Sequence, residues 1–315
     1  NVMVQYCVGN CYSHAFTDET CPVNKEAKEK FDKWSKACKS LMLWDYHNTF
    51  RFQFLIRPEF DVLPDKYRYF ADHNVRGFFA EADHRETDGW CALPELRCYL
   101  VCCLMWDPKM EYSEYERRLV SFLDAYYGDG GREIYNILKY WDRVGKRTHI
   151  NYGGTDPSLY GSWDEKIKRL PAFVIPKEEH EKGMKYIFSL FATAILKADT
   201  DERRVRLEKL EASFLWYDLI RTMDGVLENG TEEEKALAFE RNARLVELVK
   251  KYKLKLTFWG VTIDMQLDEM EKEHVILHYQ PIINWDKTEK QSVEGLIEVK
   301  VTPQRDMGFD AVAGR

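Results

Sequence analysis

The sequence predicts an α/β protein in which a parallel sheet with helical crossovers is followed by a mostly helical region. Near the start of the 315-residue chain, three short apolar runs alternate with segments of helical pattern. Apolar strands separated by helices are typical of parallel sheets whose strands are buried on both faces. The later part carries long segments in which apolar residues recur at helical spacing among dense charges, which predicts packed helices with solvated outer faces.

The first predicted strand ends where a β-prone run meets Gly9 and Asn10. After it, Phe31, Trp34 and Cys38 recur three and four residues apart, which predicts an amphipathic helix. The same alternation then repeats twice. The predicted strands cover residues 2–8, 41–46 and 77–82, and the predicted helices cover residues 24–39, 65–73 and 94–106.

The helix predicted over residues 94–106 is apolar on nearly every side. Its three thiols, Cys98, Cys102 and Cys103, are therefore expected to lie in the core.

The remaining elements are mainly helical. Thr231 and Glu234 form the sequence of a capping box at the start of one long helix. Glycines and prolines mark residues 149–172 as a linker, and short alternating runs after residue 274 predict a small β element. The predicted helices cover residues 111–127, 131–144, 177–199, 201–229 and 231–252, and the predicted domains are 1–148, 149–272 and 273–315.

Charge and hydropathy exclude several classes of partner. The net charge of -7 and the pI of about 5.7 argue against nucleic acid, because phosphate binding needs clustered lysines and arginines. No apolar run approaches the ~20 residues that span a bilayer. No glycine-rich phosphate loop follows a strand, so we expect no nucleotide cofactor and no other cofactor.

Two carboxylates, Asp45 and Glu81, stand at the ends of adjacent predicted strands beside aromatic residues. In a parallel α/β barrel the active site lies at the carboxyl ends of the strands, and glycosidic bond hydrolysis uses a pair of carboxylates. The alternative for each is a structural role in a turn or an ion pair. Ring faces for a sugar are expected from Trp44, Tyr46 and Trp90, and hydroxyl partners from Asn10, His14 and Asn48, although Trp44 and Trp90 can equally be packing residues.

Thiols and an imidazole that could bind a metal occur at Cys7, Cys11, His14 and Cys21. Structural zinc ligands usually come as two tight pairs, and this spacing does not provide them. The sequence therefore favours a loop with partly buried thiols and no bound metal, and it assigns His14 to the cleft instead.

Four stretches, taken in order, resemble the bacterial domain-of-unknown-function family 4838. They cover residues 1 to 145 well and the helical remainder loosely. The stretches are Cys11-Tyr-Ser-His14 with Cys21-Pro-Val-Asn24; Leu43-Trp-Asp-Tyr46 with Asn48 and Pro58; Gly77-Phe-Phe-Ala-Glu81; and Leu104-Met-Trp-Asp-Pro108 with Phe122 and Tyr126-Tyr-Gly128.

Members of that family look related to alpha-glucuronidases and beta-hexosaminidases, so the resemblance implies the C-terminal part of a (β/α)8 TIM-like barrel. It implies that Asp45 and Glu81 match the two late-barrel carboxylates that act as the general-base pair in family 67 alpha-glucuronidases. It also implies a periplasmic or secreted protein, with upstream polypeptide completing the barrel.

The expected function is glycoside hydrolysis of a poly- or oligosaccharide. The alternative is a carbohydrate-binding protein of the same fold without catalysis, and an interaction scaffold built on the charged helices ranks last.

Overall fold

A computed structural model of the chain shows a mixed α/β protein that is mostly helical. The residues that the structure describes are 3–47, 54, 56–82, 91–151, 154–155, 179–258 and 261–264.

A three-stranded parallel sheet forms the first part of the fold, in the order β1-β2-β3. The intervening helices run across the sheet as crossovers, which confirms the predicted alternation. The strands are β1 (Val4–Cys7), β2 (Leu41–Tyr46) and β3 (Val75–Glu81), and the helices between them are α1 (Pro22–Ala37) and α2 (Leu63–Ala71).

The two faces of the sheet differ. Leu41, Leu43 and Asp45 of β2 are buried, whereas the residues that alternate with them are half-buried. Leu41 and Leu43 pack with Phe31 of α1 and Phe70 of α2 in one apolar cluster. The helical layer therefore covers one face of the sheet, because side chains alternate between the faces along each strand.

The pairing of β2 with β3 contains a one-residue shift. Leu41 pairs with Val75, but the next residue, Met42, pairs with Gly77. A bulge of this kind exchanges the faces to which all later residues of the strand point.

Helices α3 (Pro94–Trp106), α4 (Tyr112–Tyr127) and α5 (Gly131–Gly145) follow the sheet. A Cβ atom on Gly131 would lie 2.8 Å from the backbone of Leu123 in α4, so this close approach needs glycine. The observed bounds lie within one residue of those predicted.

The prediction of core thiols in α3 is wrong. Cys98 and Cys102 are exposed and Cys103 is half-buried. The side of α3 that packs in the core is formed instead by Leu96, Leu100 and other residues of the same stripe. A helix that is apolar all round does not reveal from its sequence which side is packed.

Three long helices pack in succession after residue 179 and confirm the predicted helical region. They are α6 (His180–Leu196), α7 (Asp201–Asn229) and α8 (Glu232–Tyr252). Two short antiparallel pairs flank them, namely β4 (Ile150–Asn151) with β5 (Gly154–Thr155), and β6 (Lys255–Phe258) with β7 (Val261–Asp264).

The predicted β-rich tail over 273–315 and most of the predicted linker lie outside the described residues. Within the described part, no helix combines the length and the apolar character that a membrane span requires.

Candidate functional site

Two cysteines and two histidines meet beside the first strand. One donor atom from each of Cys11, His14, Cys21 and His149 lies within 4.8 Å of the others. The Sγ of Cys11 is 3.3 Å from Nδ1 of His14, and the Sγ of Cys21 is 3.3 Å from Nδ1 of His149. The two imidazole rings stack with their centroids 4.6 Å apart. We call these four residues the Cys/His cluster.

Asn24 in the first turn of α1 organises the loop that carries Cys11 and His14. Its Oδ1 accepts a hydrogen bond of 2.7 Å from the backbone N–H of Cys11. Its Nδ2 donates to the carbonyl oxygens of Cys11, His14 and Ala15. A single buried amide therefore fixes this loop against the helix, and Cys21 caps the same helix.

A second set of hydrogen bonds brings the distant His149 to this loop. The hydroxyl of Ser13 donates to the carbonyl oxygen of Thr148 at 2.5 Å, and the backbone N–H of Tyr12 donates to the carbonyl of Ile150 at 2.8 Å. The backbone on both sides of His149 is thus held by residues of the Cys11–His14 loop.

The two thiols of the cluster differ in their readiness to ionise. A hydrogen bond from Cys21 lowers the pKa of Cys11 to about 3, and the same contact raises the pKa of Cys21. The hydrogen bond to Cys11 also raises the pKa of His14. The contact between Cys11 and His14 therefore favours the ionised thiol and the protonated imidazole.

Asp45 lies in a network of buried charges and makes no contact with solvent. Its Oδ2 is 2.5 Å from Nζ of Lys66 and 3.2 Å from Nε2 of His47, while Oδ1 accepts a hydrogen bond from the hydroxyl of Tyr12. Burial raises the pKa of Asp45, but the positive charge of Lys66 and the contact with His47 outweigh burial and hold the pKa below its ordinary range. Asp45 is therefore an ionised, paired carboxylate.

The network continues to Glu59. Its carboxylate lies 2.5 Å from Nη2 of Arg57 and 3.0 Å from Nε of Arg97, and all three side chains are buried. Burial raises the pKa of Glu59, and the two guanidinium groups overcome this effect, so that its pKa is lowered. The guanidinium of Arg57 also lies over the ring of Tyr12, 3.7 Å from its centroid.

A small pocket connects the buried network to the Cys/His cluster. Among its lining residues are Cys11 and His14 on one side and Glu59 and Lys66 on the other. Asn10 also lines it, and although this side chain is buried, its Oδ1 has no hydrogen-bond partner among the described residues.

The sheet face that α1 and α2 leave uncovered carries aromatic rings and one carboxylate near the carboxyl ends of β2 and β3. The indole N–H of Trp44 donates to Oε2 of Glu81 at 2.5 Å. The Trp44 ring meets Phe79 edge-on at 5.0 Å and lies 6.3 Å from Tyr46. We call Trp44, Tyr46, Phe79 and Glu81 the aromatic face.

The expectation that Asp45 and Glu81 share one cleft does not hold. Asp45 pairs with Ala80 in the sheet, and Glu81 pairs with Tyr46. Since neighbouring residues on a strand point to opposite faces, Asp45 faces the helical layer and Glu81 faces the aromatic side.

Other candidate residues are placed differently from the prediction. Asn10 is buried, and its Nδ2 donates to the carbonyl of Cys11. His14 belongs to the Cys/His cluster, whereas Cys7 is exposed and takes no part in it. Asn48 and Trp90 lie outside the described residues.

His149 is separated from Cys21 by 128 residues, so the sequence does not show that the two lie together. His47, Glu59 and Lys66 of the buried network were likewise not among the predicted site residues. The only sequence signal for these residues was the presence of ionisable side chains in otherwise apolar surroundings.

Fold and site together define an α/β protein with a parallel sheet, a Cys/His cluster and a helical extension. Within it, residues 1–139 match the model of a family described as a domain of unknown function, DUF4838. This match supports the resemblance drawn from the four sequence stretches, and the matched segment contains all four.

One curated protein shows a short similarity to the chain. It is an uncharacterized HTH-type transcriptional regulator, YugG, of Bacillus subtilis (strain 168), 48% identical over 50 residues. The similarity covers 16% of this chain and 30% of that protein, so the chain spans less than a third of the relative's length. No solved structure matches the chain.

Proposed function

We propose that the protein acts on a glycosidic bond and that the aromatic face is where it binds sugar. The observation that carries this proposal is the pairing of Glu81 with the indole of Trp44 on a half-buried face at the carboxyl end of a parallel sheet. Parallel α/β enzymes place their sites at this end of the strands. Aromatic rings offer apolar surface to the C–H groups of a sugar, and a carboxylate accepts hydrogen bonds from its hydroxyls.

In this proposal Glu81 is the residue that touches the sugar, and Asp45 is a positioning residue. Oδ1 of Asp45 accepts a hydrogen bond of 3.0 Å from the backbone N–H of Tyr46, and Arg57 donates to the carbonyl of Tyr46 at 2.6 Å. The buried network thereby fixes the end of β2, where two residues of the aromatic face are carried.

The proposal extends the sheet to a TIM-like barrel. Among the described residues, β1 and β3 are the edges of the sheet, and unpaired strand edges are normally covered or paired in a folded protein. We place further strands of upstream polypeptide against these edges. Hydrolysis needs a second carboxyl group as proton donor, and these additional strands would supply it.

The test compares Glu81→Gln and Trp44→Phe with the unchanged protein on oligosaccharides that contain glucuronic acid or N-acetylhexosamine. Product release and oligosaccharide affinity are measured on the same samples. We expect Glu81→Gln to lower the rate of product release by a factor of 100 or more. This factor corresponds to a loss of about 3 kcal/mol in transition-state stabilisation. Trp44→Phe, which loses the donor to Glu81, should weaken affinity and rate together.

Matched controls are Glu240→Gln on the exposed side of α8 and Trp106→Phe at the exposed end of α3, which make the same changes on elements other than those of the aromatic face. Neither should change affinity or rate. Full activity in Glu81→Gln would refute its role.

The alternative, a carbohydrate-binding protein without catalysis, predicts a different result with the same variants. The unchanged protein would then bind the oligosaccharide and release no product, and Trp44→Phe would reduce affinity alone. Absence of binding to every oligosaccharide of the panel would contradict both forms of the proposal.

A further inference from the structure

The Cys/His cluster has the dimensions of a tetrahedral metal site. With zinc–sulfur bonds of about 2.3 Å and zinc–nitrogen bonds of about 2.05 Å, the edges of such a tetrahedron are about 3.3 to 3.8 Å long. The sulfur–nitrogen distances within the pairs Cys11–His14 and Cys21–His149 are both 3.3 Å, and all four donor atoms fall within 4.8 Å of one another. We propose that Cys11, His14, Cys21 and His149 bind one Zn²⁺ ion.

The orientation of the imidazoles supports this site independently of the distances. Each ring turns its Nδ1 toward a cysteine sulfur, and the rings stack with an angle of 19° between their planes. Each imidazole aims one ring nitrogen at a different cysteine sulfur, so that the four donor atoms converge as coordination of one ion requires. Packing in an apolar cluster would not require either ring to turn its Nδ1 toward a thiol.

The ligand set selects the ion. Thiolate and imidazole together suit Zn²⁺, whereas Mg²⁺ and Ca²⁺ prefer oxygen donors. Four protein ligands fill a tetrahedral coordination shell and leave no position for water or substrate. The ion therefore has a structural role, and this inference stands apart from the proposed action on sugars.

The proposed ion joins three parts of the chain. Cys11 and His14 lie in the loop after β1, Cys21 caps α1, and His149 follows α5. His149 lies beyond the segment that matches the family model, so the ion would clamp that segment to the region that leads into the helical extension. The sequence-based expectation of no metal considered the spacing of Cys7, Cys11, His14 and Cys21, and it did not include His149, which is remote in the sequence.

The first experiment measures metal content of the full chain after dialysis against Zn²⁺ and gel filtration. We expect one zinc per chain in the unchanged protein. Cys21→Ser and His149→Ala should each lose most of it. Cys7→Ser is the matched control, because Cys7 is an exposed thiol outside the cluster, and it should retain the full equivalent.

The second experiment uses only the unchanged protein, so it tests metal binding even if a ligand variant fails to fold. The unchanged protein is stripped by a chelator under reducing conditions and titrated with Co²⁺. We expect thiolate-to-cobalt charge-transfer bands and the intense d–d bands of tetrahedral cobalt, saturating at one equivalent and displaced by Zn²⁺. The melting temperature should fall on stripping and recover with Zn²⁺.

Three outcomes would overturn the proposal. The first is a reduced, folded protein that retains no zinc after dialysis, and the second is a cobalt spectrum of octahedral type without thiolate bands. The third is a disulfide between Cys11 and Cys21, detected by mass, in protein purified under reducing conditions. Loss of zinc in Cys7→Ser to the same extent as in Cys21→Ser would count equally against it.

Discussion

At the scale of single residues, the charge network around Asp45 holds the end of β2 in place. Charges removed from water are costly, and their mutual attraction repays this cost only when the pairing geometry is good. Asp45 meets this condition through Lys66, His47 and the hydroxyl of Tyr12. Removing one member leaves the others buried without their partner.

We therefore predict that Asp45→Asn lowers the free energy of unfolding by about 3–5 kcal/mol, the range typical of a broken buried ion pair. Urea denaturation measures it. The matched control is Asp142→Asn, because burial and repulsion from Asp61 raise the pKa of Asp142 well above its ordinary value. Burial and the nearby Asp61 disfavour the charged form of Asp142, so an amide should replace this carboxyl group at little cost.

The pH dependence gives a separate check on the same pair of variants. The pKa of Asp45 is lowered in the folded protein, so its contribution to stability is complete above the ordinary carboxyl range, near pH ~4, and is lost as the pH falls through the folded value. The stability difference between the unchanged protein and Asp45→Asn should shrink on acidification. A constant difference between pH 7 and pH 3 would contradict the assigned charge.

At the scale of elements, apolar runs and helical spacing were sufficient to predict the strands and helices of the first half, because burial imposes those patterns directly. They could not predict the register between β2 and β3. Had the pairing of Leu41 with Val75 continued unshifted, Glu81 would lie opposite His47 and on the face of Asp45. The bulge after Leu41 turns Glu81 to the other face. No local pattern in the sequence predicts this bulge.

The Cys/His cluster shows the same limit for sites. Cys11, His14 and Cys21 are close in sequence and were recognised together, but only tertiary structure brings His149 to them. The contacts that do so are backbone hydrogen bonds of Tyr12 and a serine hydroxyl, which are possible at almost any loop. Sequence alone therefore identified three members of the cluster and not the fourth, and the expectation of no bound metal was based on the spacing of those three.

At the start of α8, the structure confirms the capping box that the sequence predicts. Thr231 accepts a hydrogen bond from the backbone N–H of Glu234, and the Glu234 carboxylate accepts one from the N–H of Thr231. We predict that Thr231→Ala lowers the free energy of unfolding by about 1 kcal/mol, as for other helix caps. Thermal or urea denaturation measures this.

Thr193→Ala is the control for that cap. Thr193 is an exposed threonine within α6 whose hydroxyl donates to the carbonyl of Ser189 one turn earlier, a contact that adds little to a helix. Its replacement should be neutral or slightly stabilising. Equal losses in both variants would mean that the capping box contributes nothing beyond general helix propensity.

At the scale of the whole molecule, one apolar core extends across the boundary predicted between the sheet region and the helical region. The same cluster contains Tyr67 of α2 and Leu248 of α8. Trp141 of α5 lies at the junction, where its indole N–H donates to the carbonyl of Ile56 at 2.8 Å. Its ring meets Phe214 edge-on at 5.0 Å within α7. These contacts couple the two regions energetically.

The final prediction follows from that coupling. Phe214 is fully buried, and Phe214→Ala should lower the free energy of unfolding by about 3–5 kcal/mol through lost burial and the cavity left behind. Because Tyr67 of α2 belongs to the same core cluster, the loss should also appear in hydrogen exchange of the α2 amides, which lie outside the helical region. Leu196→Ala at an exposed position is the control and should change neither quantity. If instead only the helices of the second half lost protection while α2 kept its exchange rates, the two regions would unfold as separate units and the shared core would carry no coupling.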